Sequence, residues 1–480
     1  MTEKICIKCL SMLRLIIYIV LSSNFVVAQT RERPKDNWQN LDLKADSVFG
    51  ISTEKAYLEL LKDKKAISVI IAVIDGGVDI NHEDLKSIIW TNPKEIPGNG
   101  KDDDQNGFID DIHGWDFRSN IIKENEKAEL LSTDNKLKIV IGEQKILDQI
   151  IQKIGKAVPA IDDFKNYVPN NEREFKMQMN IVSGLKSYPD FLIYKKINLQ
   201  RAINYYKMQL AYYEKKDYDL LTGGASAYHG THVSGIIAAV RTNNIGIKGV
   251  ADHVKIMVLK AIPGINPIQK ESTLMVVNQF DNSDADKKTK GIATAIRYAT
   301  DNGAKIINMS FGQPWAKKSV EVNEAIKYAI SKDILIVHGA GNEGVDLDQM
   351  SIYPDRNTKE GQAIAECWLE VGASDWRNNE KLAAPFSNFG KKSVDVYAPG
   401  VDITSTIPRS AYLEDTGTSM ATPMVSGLAG LIRAYYPKLT AAQVKNIIMK
   451  SVLISAALKD KCISGGIINT FSAFSVINLN

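Results

Sequence analysis

The sequence of 480 residues is poor in cysteine and carries no strong excess of charge. It has four cysteines, and 59 basic against 56 acidic residues leave a net charge of +3. The near balance, without a long basic stripe, argues against nucleic acid or an anionic membrane as partner. An apolar fraction of 44% and a charged fraction of 24% exclude wholesale disorder. Composition therefore predicts a globular protein and says nothing of its chemistry.

Residues 1–28 have the pattern of a secretory signal peptide. Three basic residues, the last of them Arg14, precede a short apolar core at 15–21, and Val26 and Ala28 suit a cleavage site. The core is shorter than the ~20 residues of a membrane span, and no other apolar run is long enough. We therefore expect cleavage after Ala28, no membrane span in the mature chain, and a secreted or periplasmic location.

Signal cleavage would leave two cysteines, Cys367 and Cys462. Two are too few for a disulfide framework. They either pair in an oxidising compartment or stay as two buried thiols.

Short apolar runs alternate with helical patterns from about residue 68 onward. Such runs are typical of strands in a parallel sheet covered on both faces, and the alternation indicates a doubly wound α/β fold. The predicted strands are residues 68–74, 255–259, 305–309, 334–337 and 394–397. The predicted helices are 232–240, 292–301, 320–330, 420–434 and one beginning after Thr440, where Thr440 and Gln443 suit a capping box.

Residues 121–222 interrupt this alternation with a helical pattern. Ile146, Leu147, Ile150 and Ile151 fall on one stripe, which favours core packing over a binding site. We expect a helical insertion that lies on the main domain. The predicted organisation is a signal peptide (1–28), an N-terminal extension (29–67) and a main domain (68–480) that the insertion interrupts.

Two segments place an acid and a base next to regular structure. Residues 71–77 (IAVIDGG) end a buried strand in Asp75, at the sheet edge where catalytic groups gather in α/β folds. Residues 229–235 (HGTHVSG) set His229 at the start of an apolar helix beside small residues. Without an H-E-x-x-H pattern, the pair His229 and His232 does not indicate zinc.

Two further segments bring a hydroxyl and an amide. Residues 417–423 (GTSMATP) lead into a long helix and place Ser419 at its N-terminus, where backbone N–H groups can meet an oxyanion. Residues 336–344 end a strand in a glycine-rich turn that carries Asn342, an amide able to donate to a negative oxygen.

Together and in this order, the segments resemble those of the subtilisin-like serine peptidases, the subtilase family, whose triad follows the order Asp, His, Ser. The resemblance implies a three-layer α/β/α subtilisin-like fold with a mainly parallel sheet. It implies that Ser419 is the nucleophile, His229 the general base and Asp75 the group that orients the imidazole. It also implies an oxyanion hole made of Asn342 and the backbone N–H of Ser419.

The same resemblance implies where substrate binds. Residues 307–312 (INMSFG) are similar to the family's substrate-pairing strand, whose free edge would hold an extended peptide. The S1 pocket, which receives the side chain before the scissile bond, would lie between this strand and residues 339–341. Its residues would be Ser310, Phe311, Gly312, Gly339, Ala340 and Gly341.

Other serine hydrolases fit less well. An α/β-hydrolase needs its histidine after the serine, but the last histidine is His338. A chymotrypsin-like fold is all-β. Gly76 departs from the subtilase pattern, which has Thr or Ser after the aspartate, so a silent peptide-binding module on the same scaffold is the alternative to an active peptidase.

Metal ligands are indicated only for a structural role. Asp102, Asp104 and Asn106 follow the front half of an EF-hand-type loop, although His113 stands where a bidentate Glu would be. Either structural calcium or a solvated acidic turn explains this loop. Separately, Asp84 resembles a calcium ligand of the family.

The sequence thus predicts a secreted serine endopeptidase that acts on polypeptides through an acyl-enzyme on Ser419 and needs no cofactor for catalysis. Its oligomeric state and its P1 preference stay open.

Overall fold

The computed structural model describes residues 34–35, 37–118, 126–187, 227–262, 285–314, 319–356 and 365–478, with scattered positions between 191 and 210. The predicted signal peptide lies outside the described residues. Within the described ranges, no helix is both long and apolar enough to cross a membrane.

The centre of the fold is a nine-stranded sheet in the order β12-β13-β9-β8-β6-β4-β1-β3-β2. All neighbours are parallel except β12 and β13. Two small antiparallel pairs, β5–β7 and β10–β11, lie outside it. The strands are β1 (Val69–Asp75), β2 (Gly114–Asp116), β3 (Val254–Lys260), β4 (Ile306–Met309), β5 (Gln313–Pro314), β6 (Leu335–Gly339), β7 (Ile352–Tyr353), β8 (Trp368–Ser374), β9 (Val396–Pro399), β10 (Ile403–Ile407), β11 (Ala411–Asp415), β12 (Leu453–Ile454) and β13 (Gly466–Ile467).

Helices cover both faces of the sheet. One core cluster joins one face to α6, α9, α10 and α11, and a second joins the other face to α7 and α8. The result is the three-layer α/β/α arrangement that the sequence predicted. The helices are α1 (Leu43–Asp46), α2 (Thr53–Ala56), α3 (Glu126–Ile154), α4 (Ile161–Asn166), α5 (Glu172–Ser187), α6 (Ala227–Ala238), α7 (Ala285–Asp301), α8 (Val320–Ser331), α9 (Thr418–Tyr435), α10 (Ala441–Lys450) and α11 (Thr470–Asn478).

Strand β1 shows why the apolar runs are continuous. Ile71 and Val73 face one core cluster, while Ala72 and Ile74 face the other. Because successive side chains of a strand point to opposite faces, a strand buried on both must be apolar at every position. The position of β1 between β3 and β4 places its last residue, Asp75, at the sheet's carboxyl edge with a strand on either side.

Helix α6 differs from the prediction because it begins at Ala227, not near His232. Gly230 and Thr231 are poor helix formers, so the sequence pattern does not reveal the first turn of the helix. Tertiary contacts stabilise this part of the helix: the Ser405 and Thr406 hydroxyls on β10 donate to helix carbonyls, each at 2.7 Å.

The insertion is helical in its described part. Helices α3, α4 and α5 share a core in which Leu147 and Ile150 are fully buried. That core also includes Tyr228, on the first turn of α6, and Leu413 on β11. The insertion therefore packs directly beside His229, although its predicted limits, residues 121 and 222, fall outside the described residues.

A buried carboxylate joins the insertion's helices. Glu174 on α5 accepts hydrogen bonds from the Asn170 N–H at 2.9 Å, the Tyr167 hydroxyl at 2.6 Å and the Lys153 ammonium at 2.9 Å. These donors, the Asn170 N–H foremost, lower the pKa of Glu174 to about 2. The carboxylate therefore stays charged wherever the insertion is folded above that pH.

The two cysteines of the main domain are unpaired. Cys462 is buried and Cys367 partly buried, and burial raises the pKa of both thiols. Both are therefore protonated and poorly reactive at neutral pH.

Candidate active site

Asp75 and His229 form a buried pair at the carboxyl edge of the sheet. The His229 Nδ1 atom lies 2.8 Å from Asp75 Oδ2 and 3.0 Å from Oδ1. The Gly76 N–H also donates to Asp75 Oδ1, at 2.7 Å. This backbone donor helps to orient the carboxylate.

Gly230 allows this pair to form. A Cβ atom placed on Gly230 would lie 2.2 Å from the Gly77 carbonyl oxygen and 3.0 Å from the Asp75 Cβ. Only a residue without a side chain lets α6 approach the end of β1 so closely. The small residue beside His229 is therefore a geometric requirement of the Asp–His contact.

Ser419 lies at the second position of α9 and is hydrogen-bonded to the segment after β4. Its Oγ donates to the Ser310 carbonyl at 3.0 Å, and the Ser310 hydroxyl donates to the Ser419 carbonyl at 3.2 Å. Asn308 donates to Ser310 Oγ at 3.0 Å and accepts from Ser426 at 2.8 Å. This network, which sequence reasoning missed, positions the serine relative to β4.

In this structure the Ser419 hydroxyl is not hydrogen-bonded to His229. Ser419 Oγ is directed at the Ser310 carbonyl, while His229 Nε2 is buried without a hydrogen-bond partner among the described residues. Catalytic hydrogen bonds are often long or unformed in a free enzyme and tighten only when substrate binds. Rotation about the Cα–Cβ bond of Ser419 would turn its hydroxyl away from the Ser310 carbonyl.

Asn342 is fixed through its oxygen. Its Oδ1 accepts from the Thr418 N–H at 2.8 Å and from the Thr418 hydroxyl at 3.1 Å, which leaves the amide hydrogens on the opposite side. The turn that carries it is braced by Asn388, which donates to the Ala340 carbonyl at 2.8 Å and accepts from the Glu343 N–H at 3.1 Å. Asn388 is fully buried, and no local pattern marked it as part of the site.

The predicted substrate-pairing strand needs a correction. Residues Ile306–Met309 pair with β1 on one side and β6 on the other, so β4 has no free edge. The resemblance overestimated the length of the open segment because it could not show which strands flank β4. Only Ser310, Phe311 and Gly312, beyond the last paired residue, remain to meet an extended peptide.

The acidic residues predicted as metal ligands do not all come together. Asp102 accepts from the backbone N–H groups of Asn106 and Gly107, and Asn106 Oδ1 accepts from Phe108. Asp84 lies elsewhere and accepts from Asn243 at 2.7 Å. Asp102 and Asn106 therefore stabilise the loop itself, and Asp84 anchors the loop that carries Asn243.

A different set of carboxylates converges. Glu95, Asp104 and Asp111 each offer an oxygen within 4.8 Å of the others. Glu95 is 93% buried and its Oε2 has no hydrogen-bond partner in the described structure, while Oε1 accepts from the Asp103 and Asp104 N–H groups. Tyr298 donates its hydroxyl hydrogen to Asp111, and burial together with that carboxylate raises the pKa of Tyr298. Such a set of oxygen donors suits a hard cation such as Ca²⁺.

Comparison with known proteins agrees with this architecture. The model of the Subtilase family matches residues 66–466. Subtilisin DY of Bacillus licheniformis is 36% identical over 219 residues, which are 45% of this chain and 68% of that protein. Subtilisin BL of Lederbergia lenta is 33% identical over 218 residues, covering 45% and 67%.

A solved structure is similar over a longer span. It is that of proteases from Pseudoalteromonas arctica PAMC 21717, with a TM-score of 0.50, 19% identity, and coverage of 92% of this chain and 98% of that one. At this identity the likeness concerns the fold alone.

Proposed function

The chain belongs to the subtilase family of serine endopeptidases, and on that premise we propose that Asp75, His229 and Ser419 are its catalytic triad. The observation that carries the proposal is the buried Asp75–His229 pair, in which Nε2 has no hydrogen-bond partner among the described residues. Hydrogen bonding of the Nδ1–H to the carboxylate leaves Nε2 as the basic nitrogen.

The proposed reaction proceeds in two halves. Nε2 takes the Ser419 hydroxyl proton as Oγ attacks the peptide carbonyl, and the oxyanion accepts hydrogen bonds from the Ser419 N–H and the Asn342 amide. The intermediate collapses to an acyl-enzyme as the leaving amine takes the proton from Nε2. Water, activated by the same nitrogen, then releases the acid.

Active-site labelling tests the assignment. We expect a fluorophosphonate to add one label per chain, seen by intact mass, and to add none to Ser419→Ala; His229→Ala should label far more slowly and lose nearly all peptidase activity. Ser331→Ala, which removes an exposed hydroxyl at the end of α8, is the control and should still label. Labelling of the Ser419→Ala protein would overturn the assignment. A folded wild type that binds an extended peptide without labelling or cleavage would instead be a peptide-binding module.

We also propose that residues 1–28 direct the chain out of the cytoplasm and are removed. N-terminal sequencing of the protein recovered from the periplasm or medium should begin at Gln29. An N-terminus that still carries the apolar core would contradict this proposal.

We further propose that Glu95, Asp104 and Asp111 hold a structural Ca²⁺. Catalysis in this family needs no cofactor, so the ion would only stabilise the loop before β2. Its binding should raise the melting temperature of the wild type relative to the protein in chelator, and Glu95→Gln should reduce this difference. Identical melting temperatures in calcium and in chelator would exclude the site.

A further inference from the structure

We infer that Ile352 fills the S1 pocket and that the enzyme therefore cleaves after residues with small side chains. The inference rests on the proposed role of Ser419, because the P1 side chain is the one next to the carbonyl that this serine attacks.

The position of the pocket follows from the contacts of Ser419. Ser310 is hydrogen-bonded to Ser419 on one side. On the other, the Gly341 N–H donates to the Thr418 hydroxyl at 3.2 Å. The segments 310–312 and 339–341 therefore flank the nucleophile, and a P1 side chain has to enter the space between them.

The side chain of Ile352 already lies in that space. A Cβ atom placed on Gly312 would be 2.4 Å from Ile352 Cγ2, and one placed on Gly341 would be 2.4 Å from Ile352 Cδ1. One isoleucine thus reaches across from one wall to the other. It is only 5% exposed, so little room remains above it.

Ile352 is held in this position by its backbone. In the β5–β7 pair, Pro314 lies opposite Ile352. The next residue, Tyr353, is buried, and its hydroxyl donates to the Ser319 carbonyl at 2.9 Å and accepts from the Ser319 N–H at the same distance. These bonds restrict withdrawal of the strand from the pocket.

A packed layer of side chains lies behind the wall at Gly312. The His338 ring lies 3.4 Å from the Cβ position of Gly312 and is fully buried. Its Nδ1 is 2.9 Å from Glu370 Oε1, and Trp368 donates to the other oxygen of Glu370 at 2.8 Å. Because this layer is packed and hydrogen-bonded, the wall at Gly312 cannot withdraw to admit a large side chain.

Steric exclusion of this kind predicts a strong preference at P1. Alanine needs only the mouth of the pocket, whereas phenylalanine would overlap the atoms of Ile352. We expect kcat/KM for P1 alanine to exceed that for P1 phenylalanine by at least about 100-fold, the scale of discrimination by an ill-fitting apolar pocket.

The experiment measures kcat/KM on tetrapeptide anilides that differ only at P1, with alanine, leucine or phenylalanine. Ile352→Ala should raise kcat/KM for P1 phenylalanine by roughly 10-fold or more relative to P1 alanine. The matched control is Ile454→Ala, an exposed isoleucine on β12, which should keep the wild-type profile.

Fluorophosphonate labelling distinguishes failure of the role given to Ile352 from failure of the role given to Ser419, because the small probe does not depend on the S1 pocket. A wild type that labels but cleaves after phenylalanine as fast as after alanine would overturn the role of Ile352 and leave the triad intact. A folded wild type that neither labels nor cleaves would overturn the proposed function instead. Since the wild-type profile is itself decisive, an Ile352 variant that fails to fold does not remove the test.

Discussion

Replacement of Gly230 by alanine should damage catalysis more than folding. The added methyl group would lie 2.2 Å from the Gly77 carbonyl oxygen, where an ordinary contact is about 3.4 Å. Helix α6 and the end of β1 must therefore move apart by about 1 Å. That movement takes His229 Nδ1, now 2.8 Å from Asp75, beyond the hydrogen-bond limit of roughly 3.5 Å.

The size of each effect can be estimated. Misplacing a catalytic group by about 1 Å reduces the rate by about 100-fold, or roughly 2.7 kcal/mol in the barrier. Overpacking lowers the free energy of unfolding by about 1–3 kcal/mol. Alanine also has a higher helix propensity than glycine, which raises the same free energy by about 1 kcal/mol. The net loss of stability should therefore be smaller than the loss of catalysis.

The assay compares kcat/KM with the free energy of unfolding in urea. Gly142→Ala is the matched control, because Gly142 also lies in a helix and a Cβ atom there meets no atom of the described residues within 4 Å. It should keep full activity and match or exceed the wild type in stability. A Gly230→Ala enzyme with wild-type kcat/KM would refute the reasoning that this contact positions the histidine.

Three other predictions follow from hydrogen bonds within the site and the insertion. In Asp75→Asn, the amide oxygen should stay with the Gly76 N–H and turn the amide nitrogen toward His229; the ring then carries its proton on Nε2, and kcat should fall by about 10⁴-fold without unfolding. Asn342→Asp keeps the acceptor for Thr418 but loses the donor, so kcat should fall about 10²- to 10³-fold while KM changes little, and a rise in KM with kcat unchanged would argue against an oxyanion role. The lowered pKa of Glu174 stabilises the insertion above its unfolded pKa of about 4.3, and this contribution is lost as pH falls toward 2; hydrogen exchange of α5 should show that loss in the wild type and not in Glu174→Gln.

The sequence predicted those parts of the fold that depend on local pattern. Strands β1, β3, β4 and β6 were found because burial on both faces requires a continuous apolar run. The capping box at Thr440 was also correct, since both of its residues lie within one turn. The start of α6 was wrong because contacts with β10 stabilise glycine-containing turns that have little helix propensity of their own.

The site was predictable where one segment carries the chemistry. Asp75, His229, Ser419 and Asn342 each stand at the end of a recognisable strand or helix, although their roles stay predictions. Ile352 could not be found, because its place depends on the pairing of β5 with β7, which are separated by some forty residues of chain.

Buried polar residues that act at a distance were equally hidden. Asn388 braces the turn of Asn342 from far along the chain. Glu95 lies outside the acidic loop that the EF-hand-type pattern marked, and only the folded chain brings it to Asp104 and Asp111.

The helical state of the insertion bears on its resistance to self-cleavage. If substrate binds along Ser310–Gly312 as we expect, the bound peptide has to be extended, and a folded helix presents no such strand. Helices α3 and α5 therefore resist self-cleavage for as long as their shared core holds, and a nick there requires local unfolding first. Since Tyr228 belongs to the same core and lies next to His229, the opening that exposes the insertion to cleavage would also loosen His229, the proposed general base.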